Sequence, residues 1–200
     1  MSAEPDYKIP TNAQRKICLV VVDMQNCFFN DDESSKTENR KEIENIAEAI
    51  KLFHENSRDV FVIQYIGETH SVSKDMSFIS EIGEIEPCTI VEKHHMSAFH
   101  NTILPDLIFE RGYDSALICG AYADHCVMAT YWDAFRYDIT PFLLSDGVIG
   151  YTKENQKAAE AICMKFTMDD LRENLKTAVI DHDYNKNANR MRRKYWYAYE

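Results

Sequence analysis

The chain has 200 residues, 45% of them hydrophobic and 28% charged, with a formal net charge of −11, the profile of one globular domain with a substantial core. That acidity excludes a general nucleic-acid binder, which needs clustered Lys and Arg, and no run of about 18 apolar residues is present to cross a membrane. Six cysteines with no C-x-x-C pair exclude a zinc ribbon or a thioredoxin-type motif.

Residues 1–16 are polar, carry Pro5 and Pro10, and read as a surface arm. They lack the apolar stretch of a secretory signal, so the expectation is a cytoplasmic protein with reduced thiols. Ile17–Val22 is a continuous apolar run rich in β-branched residues, the pattern of a central parallel strand, and it ends on Asp23. Residues 30–39 read as an acidic loop. From Arg40 to Phe53 the apolar positions Ile43, Ile46, Ile50 and Phe53 follow a 3.6-residue period, which predicts an amphipathic helix.

Val60–Ile66 reads as a second strand and Gly67–Cys88 as a long polar loop on the rim of a site. Thr89–Glu92 is a short third strand running into Lys93, and Ile103, Leu107 and Ile108 mark a helix that stops near Gly112. Ala116–Gly120 has the length of a buried strand. The turn GAYAD follows, and Cys126 then opens a helical segment through Thr130, Tyr131 and Phe135. Ile139–Leu144 is a further strand ending on the turn signal Ser145-Asp146-Gly147. Glu154–Phe166 and Met168–Leu175 read as helices, the second capped by Thr167 with Asp169 and Asp170 in its first turn. Thr177–Ile180 is assigned as a last strand.

Strands alternating with helices predict a three-layer, Rossmann-like α/β fold over 17–182, with a mostly parallel sheet of roughly six strands between helices. Ligands bind such folds at the carboxyl ends of the strands. Asp23, Lys93 and the Cys126 turn all fall there. A thiol at a helix N-terminus is favoured as thiolate by unpaired amides and the macrodipole, so Cys126 is the candidate nucleophile. An Asp beside a Lys stays charged in a dry pocket because the ammonium offsets its burial.

The segments VVVDMQNCFF, EKHHMSAFHNTIL, GAYADHCVMATYWDAF and PFLLSDGV, in that order, resemble the isochorismatase-like cysteine hydrolases, a group of isochorismatases, nicotinamidases and N-carbamoyl amidohydrolases. The resemblance spans roughly residues 17–180. It implies an Asp23–Lys93–Cys126 triad and a cis peptide between Ala121 and Tyr122. It also implies an oxyanion hole from the N–H groups of Tyr122 and Cys126, and a substrate contact by Tyr122. Phe28, Phe29 and the 67–88 segment are assigned as pocket walls. A small-molecule substrate and a homo-oligomer, dimer or tetramer, are further expectations; no cofactor, metal, membrane or nucleic acid is expected.

Two departures shape the functional expectation. The Asp-x-His metal motif of nicotinamidases is absent; the region holds His70 without an Asp two residues before it. The scaffold is similar to that of isochorismatases, but those resemble this chain with glycine in place of Cys126. A cysteine there favours thioester chemistry on a small amide or ureido compound. The alternative is an isochorismatase that cleaves a vinyl ether with Asp23 as general acid. The 183–200 tail combines Arg190, Arg192 and Arg193 with Tyr195, Trp196 and Tyr197, a composition suited to packing on the domain or on a neighbouring subunit.

Overall fold

The computed structural model describes residues 14–29, 33–67 and 75–178. Its frame is one sheet built from β1 (Ile17–Val22), β2 (Val60–Tyr65), β3 (Thr89–Lys93), β4 (Ser115–Ala121), β5 (Thr140–Ile149) and β6 (Lys165–Phe166). The strands lie in the order β3-β2-β1-β4-β5-β6, and every pair is parallel. The chain winds outward from β1 through β2 to β3, then crosses back to lay β4 on the other side of β1. The winding reverses between β1 and β4, and in folds of this kind ligands bind at the carboxyl ends of the strands flanking such a reversal.

The all-apolar sequence of β1 is explained by its place: all six of its residues are buried, because helices cover both sheet faces. Ile17, Leu19 and Val21 face α2 (Arg40–Glu55) and α6 (Met168–Thr177). Cys18, Val20 and Val22 face α3 (Leu104–Glu110), α4 (Met128–Ala134) and α5 (Lys153–Ile162). On α2, the periodic Ile43, Ile46, Ile50 and Phe53 are buried, each side chain contributing about 1.5–3 kcal/mol through removal from water. The start of α6 is set by a capping box: Thr167 accepts from the Asp170 N–H, and the Asp170 carboxylate accepts from the Thr167 N–H.

Four local expectations are corrected. Within the segment read as an acidic loop, residues 33–38 form a short helix, α1 (Glu33–Glu38). Ser145-Asp146-Gly147 is no turn but an irregularity inside β5, where the pairing with β4 jumps from Ile118–Leu143 to Gly120–Val148. Asp146 takes a left-handed φ of 53° there. Neighbouring elements satisfy its displaced backbone: Asn45 of α2 donates to its carbonyl at 2.9 Å, and Glu160 of α5 accepts its N–H at 3.2 Å.

The helix expected through Phe166 ends at Ile162, and Lys165–Phe166 instead forms β6. The outer edge of β5 supplies the reason, since the Leu143 N–H donates to the Met164 carbonyl at 2.9 Å. Thr177 closes α6 and Ala178 caps it, so no strand begins there; residues 179–180, the tail and most of the arm lie outside the described residues. Arg15, at the arm's end, is tied to the domain by bonds to Thr140 and Asn174.

Candidate functional site

Asp23 is the first residue past β1. Its N–H continues the ladder to the Ile63 carbonyl at 3.2 Å, and its φ of 52° turns the chain out of the sheet. That left-handed conformation is uncommon for residues other than Gly, Asn and Asp. Lys93 is the last residue of β3, a strand whose burial alternates, with Val91 and Lys93 inward. Its ammonium reaches across the end of β2 to Asp23 Oδ2 at 2.8 Å, with both side chains essentially out of water. It also donates to the His95 carbonyl at 3.0 Å and lies 5.0 Å from the centre of the Tyr65 ring. Two ions are thus buried together as a close ion pair, while Oδ1 of Asp23 is left without a hydrogen-bond partner among the described residues.

The third group arrives from β4. Gly120 has φ +110°, and a Cβ at that position would stand 2.2 Å from the Val22 carbonyl oxygen; only glycine lets β4 approach β1 this closely. The Ala121–Tyr122 peptide is cis. A single π turn, Ala123–Val127, then carries Cys126 ahead of α4, with the Tyr122 carbonyl accepting from the His125 and Val127 N–H groups. The Cys126 thiol, largely buried, lies within the electrostatic reach of both Asp23 and Lys93. The structure therefore gathers Asp23, Lys93 and Cys126 from three separate strand ends.

Electrostatics correct the thiolate expectation. Burial and the adjacent Asp23 charge push the Cys126 thiol up to about 12, against the pull of Lys93. The α-helix proper starts only at Met128, past the cysteine, so dipole stabilisation does not offset desolvation. Asp23 is also raised from its ordinary value: burial outweighs the opposing pull of the Lys93 ammonium. The resting site therefore combines a protonated thiol with a carboxyl group that holds protons more tightly than usual.

Around these three side chains, the Tyr122 hydroxyl donates to the Phe28 carbonyl. The Phe28 ring stands 6.1 Å from Tyr65 and 6.3 Å from Tyr122. Phe29, assigned to the pocket wall, is instead fully buried in the core on the α2 side of the sheet. Phe28 packs against the same core but is only partly buried, with its ring between those of Tyr65 and Tyr122. His94 and His95 are both exposed, and His95 stacks on His100 with ring centres 4.3 Å apart. His70 lies outside the described residues.

Sequence reasoning missed Gln25. Its amide donates to the Tyr65 and Met76 carbonyls at 3.0 and 2.8 Å and accepts from the Tyr65 N–H at 2.8 Å. It locks the loop after Asp23 to the end of β2. A polar residue three places beyond a buried strand was the available signal. Residues 75–79 also pack on this loop, through Asn26 N–H to the Ser77 carbonyl and Ile79 N–H to the Met24 carbonyl. Asp124 was missed as well; it accepts from the Tyr151 N–H at 2.9 Å and from the Asn155 amide at 2.7 Å.

A parallel sheet ordered 3-2-1-4-5-6, with an acid, an ammonium and a thiol converging at its switch point, defines a doubly wound, three-layer α/β architecture. The isochorismatase domain model matches residues 17–166, and the chain belongs to that family of hydrolases. The isochorismatase family protein YddQ of Bacillus subtilis is 26% identical over 125 residues, covering 60% of this chain and 69% of that protein. A probable isochorismatase of Pseudomonas chlororaphis is 32% identical over 87 residues, covering 41% of this chain and 42% of its own length. The crystal structure of N-carbamoylsarcosine amidase from Thermoplasma acidophilum superposes with a TM-score of 0.64 at 22% identity, covering 76% of this chain and 95% of the amidase. At that identity the likeness concerns the fold.

Proposed function

We propose that the protein is a cysteine hydrolase that cleaves a C–N bond in a small amide or ureido compound. The observation that carries this reading is the buried Asp23–Lys93 pair placed against the Cys126 thiol. Because the resting thiol is protonated, attack and proton transfer occur together. The Cys126 sulfur forms a bond to the substrate carbonyl carbon while its proton passes to Asp23. The carbonyl electrons move to oxygen, where the amides of Tyr122 and Cys126 stabilise the negative charge; such a donor is worth about 3 kcal/mol.

Collapse of this intermediate breaks the C–N bond, and Asp23 returns the proton to the departing nitrogen. Water then attacks the thioester carbonyl and gives a proton to Asp23. Expulsion of sulfur, reprotonated by Asp23, releases the acid. A base that both takes and returns a proton works best with a pKa shifted toward the operating pH, and burial shifts Asp23 in that direction. The Lys93 side chain, 2.8 Å from Asp23, keeps the carboxylate compatible with a dry site.

Ammonia release from amide and ureido substrates tests the reading. Cys126→Ala and Asp23→Asn are expected to lose turnover, and the wild type to accumulate an acyl adduct on Cys126 visible by intact mass. Full activity in Cys126→Ala would refute it. One observation favours a second reading: a carboxyl group with a raised pKa also suits a general acid, as vinyl-ether cleavage of isochorismate to pyruvate requires. Pyruvate release that survives Cys126→Ala would establish that chemistry in place of the first.

A further inference from the structure

The outer surface of the α4–α5 layer is apolar where a chain surrounded by water has no use for it. α5 and its C-terminal cap bury Gln156, Ala159 and Cys163 and leave Ala158, Ala161 and Ile162 exposed. The largest apolar side chain of that helix thus faces solvent while a glutamine is buried. α4 and its C-terminal cap add Met128, Trp132 and Phe135, at the i, i+4, i+7 spacing of one helix face.

The two stripes form one patch. The Trp132 and Phe135 rings lie 6.0 Å apart, and Tyr131 packs edge-on against both. The Tyr131 hydroxyl accepts the Met164 N–H at 2.9 Å. Met128 Sδ lies 3.8 Å from the sulfur of Cys163, the residue between Ile162 and Met164. Trp132, Phe135, Ile162 and Met164 are 52%, 44%, 64% and 41% exposed, which leaves roughly 400–500 Å² of apolar surface in water. A stable dimer buries about 800 Å² on each copy, an apolar core inside a polar rim. The patch has the size of such a core.

Its charges point to a second copy as the occupant. With a net charge of −11, two copies repel over most of their surface. Residues 128–138 and 153–165, which carry the patch, hold four basic residues (Arg136, Lys153, Lys157, Lys165) and four acidic ones (Asp133, Asp138, Glu154, Glu160). This face is therefore neutral within an acidic protein, and balanced charge lets a surface be its own complement, as a two-fold interface requires. We propose that the α4–α5 face is where a second copy of this chain docks, about a two-fold axis, with Trp132 as the main anchor.

Light scattering coupled to size exclusion tests this on the full chain at about 100 µM, above the micromolar Kd of weak interfaces of this size. The wild type is expected to show at least twice the mass of one chain, and Trp132→Glu and Ile162→Glu each to halve it. Both side chains are exposed in the single chain, so both variants should keep the wild-type far-UV circular dichroism; if one unfolds, the other decides. Trp132→Phe should keep the assembly. In a Trp196→Phe background Trp132 is the sole tryptophan, and its emission should move to the blue as the protein associates. A wild type that stays a single chain, or an assembly whose mass survives both Glu substitutions, would overturn the inference. Blue emission from a protein that sizes as a single chain would also overturn it, and would name the chain's own arm or tail as the cover.

Discussion

Replacing Lys93 with methionine keeps the length of the side chain and removes its charge. In the folded protein Asp23 would then be a carboxylate with 2% side-chain exposure and no counter-ion at 2.8 Å. Leaving one member of a buried pair unpaired costs about 3–5 kcal/mol, and a domain of this size loses about 2–4 °C of melting temperature per kcal/mol. Lys93→Met is therefore expected to melt roughly 6–20 °C below the wild type at pH 8.

Asp23 escapes part of that cost by taking up a proton, since burial already raises its pKa and loss of Lys93 raises it further. A carboxyl whose folded pKa exceeds its unfolded one contributes stability that is fully present below the unfolded value, about 3.9, and is lost as pH rises through the folded value. The deficit relative to wild type should thus be small near pH 4 and grow towards pH 8. Asp23→Asn combined with Lys93→Met buries no charge and should recover much of the loss, a departure from additivity. Differential scanning fluorimetry of the four proteins across pH is the assay. A Lys93→Met deficit that stays within about 2 °C at pH 8, or that does not vary with pH, would refute the reasoning.

Two further outcomes follow from the same geometry. Gly120→Ala places a methyl 2.2 Å from the Val22 carbonyl at φ +110°, so β4 must move off β1; the urea midpoint should fall and the Cys126 turn shift, and a wild-type midpoint would show that the strands have slack. With its thiol pushed up to about 12, Cys126 should be alkylated by iodoacetamide slowly at pH 7 and steadily faster into the alkaline range, followed by peptide mass; rapid labelling at neutral pH would mean that a thiolate is already present.

Much of this was legible in the chain. The run ICLVVV marked β1 to the residue, because a strand buried on both faces has no reason to include a polar side chain. Thr167 announced the start of α6 because capping is a local bond, three residues long. The triad candidates were visible as chemically apt residues just past apolar runs. Phe29 was misread because Phe28 and Phe29 look alike in sequence, while in the fold Phe29 is fully buried and only Phe28 keeps a partly exposed ring, near Tyr122. The acidic loop hid α1, and β6 was hidden because two residues become a strand only where β5 offers them an edge.

The sequence by itself determined the α/β class, the core strands, the main helices and which side chains could carry chemistry. Each depends on periodicity or on bonds between near neighbours, which a chain records locally. Tertiary structure alone decided how those side chains work. The reach of Lys93 over β2 to Asp23 depends on the crossover that places β2 and β3 on one side of β1 and β4 on the other. The protonated state of the Cys126 thiol depends on desolvation by residues distant in sequence. The clamp of Asp124 on Tyr151 and Asn155 joins positions that only the packing of the π turn against α5 brings together. Burial and electrostatic fields sum over neighbours in space, and a linear sequence does not state which neighbours those are.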